Sequence, residues 1–352
     1  MNKENIEALL KDYQCPYMGT DLVSGNTVKE IKVEGNNVFV KCVLGWPAEG
    51  IMQAFHENMD KKIKEAYPDA QTNLDLSYEI SAHGIQKSTE RIKGIKNIIA
   101  VASGKGGVGK STVSANLAVA LAQLGYKVGL CDADIYGPSM PTMFGVEGEK
   151  PVPVEVNGKQ MMKPVEKYGV KMLSIGFFAD PDQAIVWRGP MASKALKQLF
   201  TEATWGDLDF MIIDLPPGTG DIHLSLVQTL QLSGAVVVST PQDVALADAR
   251  KGVGMFRLEA VNVPVLGMIE NMAYFTPEDA PEKKYHIFGR DGVKRLSETL
   301  EVPFLGELPL MQTVREAGDA GRPAVMQTDS NAAAAFKEVV VKLLAVLGKN
   351  VD

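Results

Sequence analysis

The chain has 352 residues, 45% hydrophobic and 22% charged, an ordinary globular composition with material for about two domains. Its net charge of −7 argues against a general affinity for nucleic acid or anionic membrane, and no run of about 18 apolar residues could span a bilayer. The chain opens without an apolar signal segment, and its three cysteines fit no disulfide framework. We therefore expect a cytoplasmic protein with neither a nucleic-acid nor a membrane partner.

The first part of the chain, residues 1–80, predicts a small α/β domain. Apolar residues alternate in two segments around a turn at Gly35 and Asn36, and they then recur at helical spacing before a third alternating segment. The predicted elements are strands 29–33 and 37–43, a helix 50–66 and a strand 74–80. The polar stretch 81–96, which carries both charge signs and two glycines, is predicted to be a linker.

From residue 97 to 352 short apolar runs alternate with helical stretches. Nearly continuous apolar runs are typical of strands buried on both faces, and helices between them favour a mainly parallel sheet. The predicted strands are 98–102, 128–131, 172–175, 210–213, 235–239, 265–269 and 304–306. A final helix is indicated by one apolar stripe that ends at Leu347. The fold class is therefore α/β, a mostly parallel sheet flanked by helices and preceded by the small α/β domain.

The most specific motif follows the first of these strands and fits G-x-x-x-x-G-K-[ST] in full. Glycines let such a loop curl so that backbone N–H groups point at phosphate oxygens, and the following helix adds the positive end of its dipole. The lysine reaches the terminal phosphates and the serine hydroxyl reaches Mg²⁺. The motif predicts an ATP-binding P-loop ATPase domain whose loop consists of Gly104, Lys105, Gly106, Gly107, Val108, Gly109, Lys110, Ser111 and Thr112.

Two acidic segments follow later strands of the sheet. Asp132 and Asp134 come after the second strand of this domain, and Asp214 follows strand 210–213. Acids at the carboxyl ends of parallel strands lie where open α/β sheets bind ligands. We predict that Asp214 bonds Mg²⁺ together with Ser111, and that Asp132 and Asp134 are candidates for second-shell contacts to Mg²⁺ and for positioning the attacking water. Each acid taken alone could instead be a helix N-cap or a turn residue.

The loop contains a second lysine, Lys105, and so resembles the deviant Walker A motif of the MinD, ParA and nitrogenase iron protein superfamily. The segments 132–139, 187–191, 214–221 and 270–272 further resemble the Mrp/ApbC family of iron–sulfur cluster carriers. The resemblance covers residues 97–347. Residues 1–80 resemble, more weakly, the iron–sulfur-assembly domain that is often fused ahead of it.

The resemblance implies an ATP-sandwich homodimer in which Lys105 reaches the partner's nucleotide. By the same resemblance, Asn271 would recognise adenine and Asp134 would orient the attacking water. It also implies ATP hydrolysis coupled to iron–sulfur cluster assembly or transfer, with apoprotein recipients or assembly factors as partners. Lys105, Lys110, Asp134 and Asp214 would be the catalytic residues. No arginine finger is identifiable, although Arg188 and Arg250 are candidates because they lie in predicted polar connections.

The sequence departs from the family at its cluster site. Most members carry a C-x-x-C shortly after the Glu-Asn-Met motif, but residues 272–281 here contain no cysteine. Of the cysteines present, Cys131 is expected to be a core residue, while Cys15 and Cys42 are left open as ligands of a bound cluster, and no pair has C-x-x-C spacing. A lone histidine, His286, is more often structural than metal-binding.

Three functions remain open at this point. The chain is an ATP-hydrolysing cluster carrier or assembly factor, a nucleotide-dependent dimeric switch of the MinD or ParA kind without a cluster, or a reductase like the nitrogenase iron protein. The reductase ranks last because it needs bridging cysteines.

Overall fold

The computed structural model describes residues 1–13, 21–45, 52–78, 92–178, 189–277, 279–280, 282–327 and 330–349. The chain divides into two compact units, Met1–Ser81 together with Val341–Asp352, and Ala82–Val340. The helices are α1 Lys3–Lys11, α2 Met52–Ala66, α3 Lys110–Gln123, α4 Met140–Phe144, α5 Gly189–Thr201, α6 Asp221–Thr229, α7 Asp243–Phe256, α8 Gly292–Leu300, α9 Gln312–Asp319 and α10 Asn331–Lys349. The strands are β1 Val28–Glu34, β2 Asn37–Leu44, β3 Gln71–Tyr78, β4 Ile95–Ala102, β5 Val128–Asp132, β6 Val152–Val156, β7 Lys159–Lys163, β8 Val165–Lys167, β9 Val170–Ser174, β10 Leu208–Asp214, β11 Gly234–Ser239, β12 Val265–Glu270 and β13 Phe304–Glu307.

The first unit contains a three-stranded sheet in the order β1-β2-β3, with β1 antiparallel and β3 parallel to β2. Every second residue of β2 from Val38 to Leu44 is buried, so one face of the sheet is covered. Helices α1 and α2 supply the covering side chains, among them Leu10, Phe55 and Ile63. The alternation in the sequence is therefore the direct consequence of a sheet with one buried face.

The second unit is built on an eight-stranded sheet in the order β13-β12-β11-β4-β10-β5-β9-β8. Its strands pair in parallel, except that β8 runs antiparallel to β9. All residues of β5 and β11 are buried, as expected for strands that helices cover on both faces. Helix α3 is buried from Val113 to Leu121 and contacts β4, β5 and β10, so the element that follows the phosphate loop lies at the centre of the unit.

The predicted α/β fold class is confirmed, and each predicted strand is present with ends that differ by a few residues. Strand β9 ends at Ser174, and Ile175, predicted as its last residue, begins a short 3-10 helix. The sequence did not predict the hairpin β6–β7 or strand β8, because these segments are short and largely exposed. Most of the predicted linker lies outside the described residues, so the domain limits stay a prediction.

No helix in the described part of the chain combines the length and apolar character needed to cross a bilayer.

Candidate functional site

Polar side chains gather at the carboxyl edge of the large sheet. The parallel register places Asp214 of β10 beside Asp132 of β5, and Asp132 beside Ser174 of β9. On the other side of β4, the same edge carries Ser239 beside Glu270. Because the strand interiors are apolar, this edge collects the polar groups of five segments that are far apart in the sequence.

The phosphate loop joins β4 to α3, and its glycines are required by geometry. Gly107 and Gly109 have φ of +82° and +81°, a conformation that side-chain-bearing residues rarely adopt. A Cβ on Gly104 would overlap the backbone of Asp248 in α7, and a Cβ on Gly109 would overlap the amide of Asn271. Gly106 and Gly107 instead face open space, so the middle of the loop can be approached closely.

The first turn of helix α3 is suited to bind an anion. Its N-cap is Gly109, and no side chain in the described residues caps its first turn. The leading N–H groups of a helix need partners, and together with the helix dipole they favour negative charge. Val108 is buried within the loop, whereas Lys105 and Thr112 are half-buried. Among the described residues, the Lys105 ammonium makes no ion pair.

The Asp214 carboxylate is fully buried and accepts hydrogen bonds from three side chains. The Lys110 ammonium donates to Oδ2 at 2.7 Å, and the Ser111 hydroxyl donates to the same oxygen at 2.6 Å. The Ser114 hydroxyl donates to Oδ1 at 2.6 Å. The structure thus brings together three of the predicted site residues, Lys110, Ser111 and Asp214, in a buried charged network.

The second acid, Asp132, is also fully buried, but its partners differ. Its Oδ2 accepts from the backbone N–H groups of Ser139 and Met140, each at 3.1 Å, and from the Ser174 hydroxyl at 2.8 Å. Burial, and next the charge of Asp214, raise the pKa of Asp132 to about 7, against the opposing effect of these donors. In this arrangement Asp132 holds the start of α4 to the sheet edge.

The third acid, Asp134, lies closer to the loop. Its Oδ2 is 3.5 Å from the Lys110 ammonium, and its Oδ1 accepts from the backbone N–H of Tyr136 at 3.2 Å. Asn271 lies on the other side, where its amide donates to the Val108 carbonyl at 2.8 Å. Both predicted residues therefore contact the phosphate loop, Asp134 through its lysine and Asn271 through its backbone.

Two site residues were missed by the sequence reasoning. Ser114 follows Lys110 by four residues, about one helical turn, so the helical period places both side chains on the same face of α3. Ser103 directly follows the strand before the loop. Its hydroxyl donates to the Lys105 carbonyl, and its own carbonyl accepts from the Gly218 N–H. That contact ties the phosphate loop to the segment after Asp214, and no sequence pattern pointed to it.

The remaining candidates lie apart from this site. Arg250 is exposed within α7, so its prediction as a residue of a polar connection is wrong, while Arg188 lies outside the described residues. The Nδ1 of His286 donates a hydrogen bond to the Ala273 carbonyl at 3.0 Å. No group of three metal-binding side chains occurs in the part of the chain that the structure describes.

Both described cysteines are buried. Burial raises the pKa of the Cys42 thiol to about 12, and burial together with Asp132 and Asp214 raises that of Cys131 well above its usual value. The expectation that Cys131 is a core residue is confirmed. Cys15 lies outside the described residues. Neither described thiol is suited to ligate a metal, because the ligand is the thiolate.

The ParA family model, described as the NUBPL iron-transfer P-loop NTPase, matches residues 94–344, most of the chain. The chain belongs to this family. As a member it is a nucleotide-binding P-loop NTPase of the iron–sulfur cluster carrier and assembly group. Residues 3–73 match a second family model, that of an iron–sulfur cluster assembly protein. The resemblance that the motifs indicated is therefore confirmed.

Curated relatives of this NUBPL-type NTPase match over long stretches. An iron–sulfur cluster carrier protein of Synechocystis is 40% identical over 98% of this chain and 97% of its own length. One of Aquifex aeolicus is 54% identical over 75% of this chain and 71% of its own length. Among solved structures, a nucleotide-binding protein of Archaeoglobus fulgidus in complex with ADP aligns with a TM-score of 0.60 and 36% identity, over 70% of this chain and 94% of that one.

Proposed function

We propose that this chain binds MgATP, hydrolyses it, and uses the cycle to assemble or transfer iron–sulfur clusters to apoproteins. The observation that carries the ATPase part is the buried network of Lys110, Ser111 and Asp214 at the head of α3. An ammonium, a hydroxyl and a carboxylate at the end of a glycine loop are the groups that phosphoryl transfer from a nucleotide requires.

The network fits a magnesium ion as well as a phosphate. Ser111 and Asp214 present a hydroxyl and a carboxylate oxygen 2.6 Å apart, and oxygen ligands are those that Mg²⁺ prefers. These two residues would hold the ion, while Asp132, which already accepts from four donors, would act through its charge. When bound, the ion would neutralise charge that develops on the phosphate oxygens.

Lys110 would leave Asp214 for the β- and γ-phosphates of ATP, since it cannot make both sets of contacts at full strength. Asp134, 3.5 Å from Lys110, would orient the water that attacks the γ-phosphate. Lys105, whose ammonium makes no ion pair in the described residues, would stabilise the partner subunit's nucleotide in a homodimer. Asn271 would reach the adenine base after releasing the Val108 carbonyl.

The role in cluster transfer is supported by the two family matches and by the names of the relatives. The ligands that would hold a cluster on this chain are not Cys42 or Cys131, because both thiols are buried and protonated. That same observation favours a second candidate function, an ATP-gated dimeric switch that acts on cluster assembly without carrying a cluster.

The deciding experiment is phosphate release from MgATP, measured beside the iron and acid-labile sulfide content of protein purified without oxygen. Steady release that requires Mg²⁺ supports the ATPase, and its absence in protein that binds nucleotide would contradict it. A cluster that persists in the Cys42→Ala and Cys131→Ala variants and is lost in Cys15→Ala supports carriage through Cys15. Protein that hydrolyses ATP and never holds a cluster supports the switch.

A further inference from the structure

One buried polar group near the site has no part in the proposed mechanism. His223 lies in the first turn of α6, directly after the segment Asp214–Gly220 that leads away from the buried acid. Its side chain is 2% exposed. Within the described residues, its ring nitrogen Nε2 has no hydrogen-bond partner.

An unpaired nitrogen in this position is costly. A polar atom that gives up water without gaining a partner loses the free energy of its hydration, and proteins rarely leave one in that state without a functional reason. Other groups near the strand ends are paired, including the three acids and the hydroxyls of Ser111 and Ser114. Within the described residues the buried Ser139 hydroxyl, near Asp132, also lacks a partner, so His223 is one of two unpaired polar groups beside a network whose acids are paired.

The imidazole is also electrostatically linked to the phosphate loop. Burial, and next the positive charge of Lys110, lower the pKa of His223 to about 4. The ring is neutral at physiological pH, so it can donate one hydrogen bond and accept another without adding charge to the site. A neutral group of this kind can change partners at little electrostatic cost.

The segment between Asp214 and His223 has room to move. Cβ atoms on Gly218 and Gly220 would meet nothing within 4 Å, and Gly218 has φ of +96°. Its N–H donates to the Ser103 carbonyl at 2.9 Å, which joins this segment to the phosphate loop. A short, glycine-containing connection therefore joins Asp214 and the phosphate loop to the start of α6.

We propose that His223 is a positioning residue for ATP hydrolysis, whose Nε2 gains a hydrogen-bond partner from the segment Asp214–Gly220 when a nucleoside triphosphate draws Lys110 away from Asp214. The inference rests on the proposed ATPase function and deepens it. A triphosphate completes the hydrogen bonding of His223, and a diphosphate, which lacks the γ-phosphate, does not. His223 thus contributes to the preference for the triphosphate-bound state.

Two substitutions separate this role from a purely structural one. His223→Gln places an amide group near the position of Nε2, whereas His223→Leu fills the space with an apolar group. We expect His223→Leu to keep or raise the melting temperature of the nucleotide-free protein, because it removes an unpaired buried atom. It should also lower the rate of ATP hydrolysis about tenfold, the value of one hydrogen bond, with ADP affinity unchanged. His223→Gln should recover most of the lost rate.

The control is His56→Gln in α2, which should match the wild type in every assay. Wild-type hydrolysis by His223→Leu would overturn the inference, and so would equal loss in the Leu and Gln variants, because that result indicates shape rather than hydrogen bonding. Nitrogen NMR of the labelled imidazoles tests the unmodified protein. The His223 signal should shift with a non-hydrolysable triphosphate and not with ADP. An unshifted signal in nucleotide-bound protein contradicts this inference alone, whereas failure to bind any nucleotide contradicts the proposed function.

Discussion

In the eight-stranded sheet every residue of β5 and β11 is buried, whereas in the three-stranded sheet buried residues of β2 alternate with half-buried ones. The small sheet can therefore display polar side chains along its open face. The large sheet cannot, because helices cover both of its faces, and its polar groups are confined to the strand ends. In a sheet that is covered on both faces, the polar and charged side chains thus lie at one edge, where residues from distant parts of the sequence come together.

The substitution with the largest expected effect removes the Lys110 ammonium, the buried positive charge at the carboxyl edge of the large sheet. Lys110→Ala should lower the affinity for MgATP and MgADP by at least about 100-fold, because the phosphates lose their buried cation. Isothermal titration calorimetry measures this directly. Lys105→Ala is the matched control and should spare binding while impairing hydrolysis that depends on dimerisation. Unchanged binding by Lys110→Ala would refute the assignment of the loop.

The buried cysteines of the two sheets should be equally unreactive in the folded protein, although one sheet is covered on one face and the other on both. In a Cys15→Ala variant, the thiols of Cys42 and Cys131 should not react with a thiol reagent until denaturant is added, since both are buried and protonated. Absorbance of the released chromophore follows the reaction. Rapid labelling of either thiol in the folded protein would show that its strand opens readily, and would restore that cysteine as a candidate ligand.

A smaller effect comes from the packing of the phosphate loop. Gly104→Ala should destabilise the protein by about 1–3 kcal/mol, because the new methyl group overlaps the backbone of Asp248. Gly106→Ala is matched in chemistry but faces open space, and it should leave the urea midpoint nearly unchanged. Equal midpoints for the two variants would mean that the loop is not held against α7 as the structure has it.

The smallest effect concerns Glu270 at the end of β12. Burial raises the pKa of this carboxyl, although it accepts from the Val293 N–H at 2.6 Å. The folded protein thus holds the proton more tightly than the unfolded chain, and Glu270 costs stability as the pH rises from about 4 through its raised pKa. Glu270→Gln should raise the urea midpoint at neutral pH and less so near pH 4.5. A larger gain in the urea midpoint near pH 4.5 than at neutral pH would mean that folding lowers the pKa of Glu270, and would contradict the argument.

The sequence predicted the parts of the molecule in which local chemistry decides the structure. The glycine pattern identified the phosphate loop, and continuous apolar runs identified the strands of the large sheet. The convergence of Asp132, Asp134 and Asp214 followed from their position after parallel strands. These features could be predicted because short-range sterics and burial impose them on nearby residues.

Other features depend on contacts between segments that the sequence does not order. The strand order that places β10 between β4 and β5 could not be deduced from spacing, and neither could the bond between Asn271 and Val108. The burial of Cys42 and of His223 required the packed structure, because a residue type alone does not say which face of its element is covered. The pairing of Ser103 with Gly218 likewise arises only from the fold.

The register of β10 has a consequence for how this chain can vary. Asp214 is aligned with Asp132 on one side and with Val101 on the other, and its side chain meets donors from α3. Insertion or deletion of a single residue within Leu208–Asp214 would turn every later side chain of the strand to the opposite face. The number of residues in this strand is therefore constrained as strictly as the identity of its last one. Length changes can be absorbed only before Leu208, at the amino ends of the strands, where the chain is free of the site.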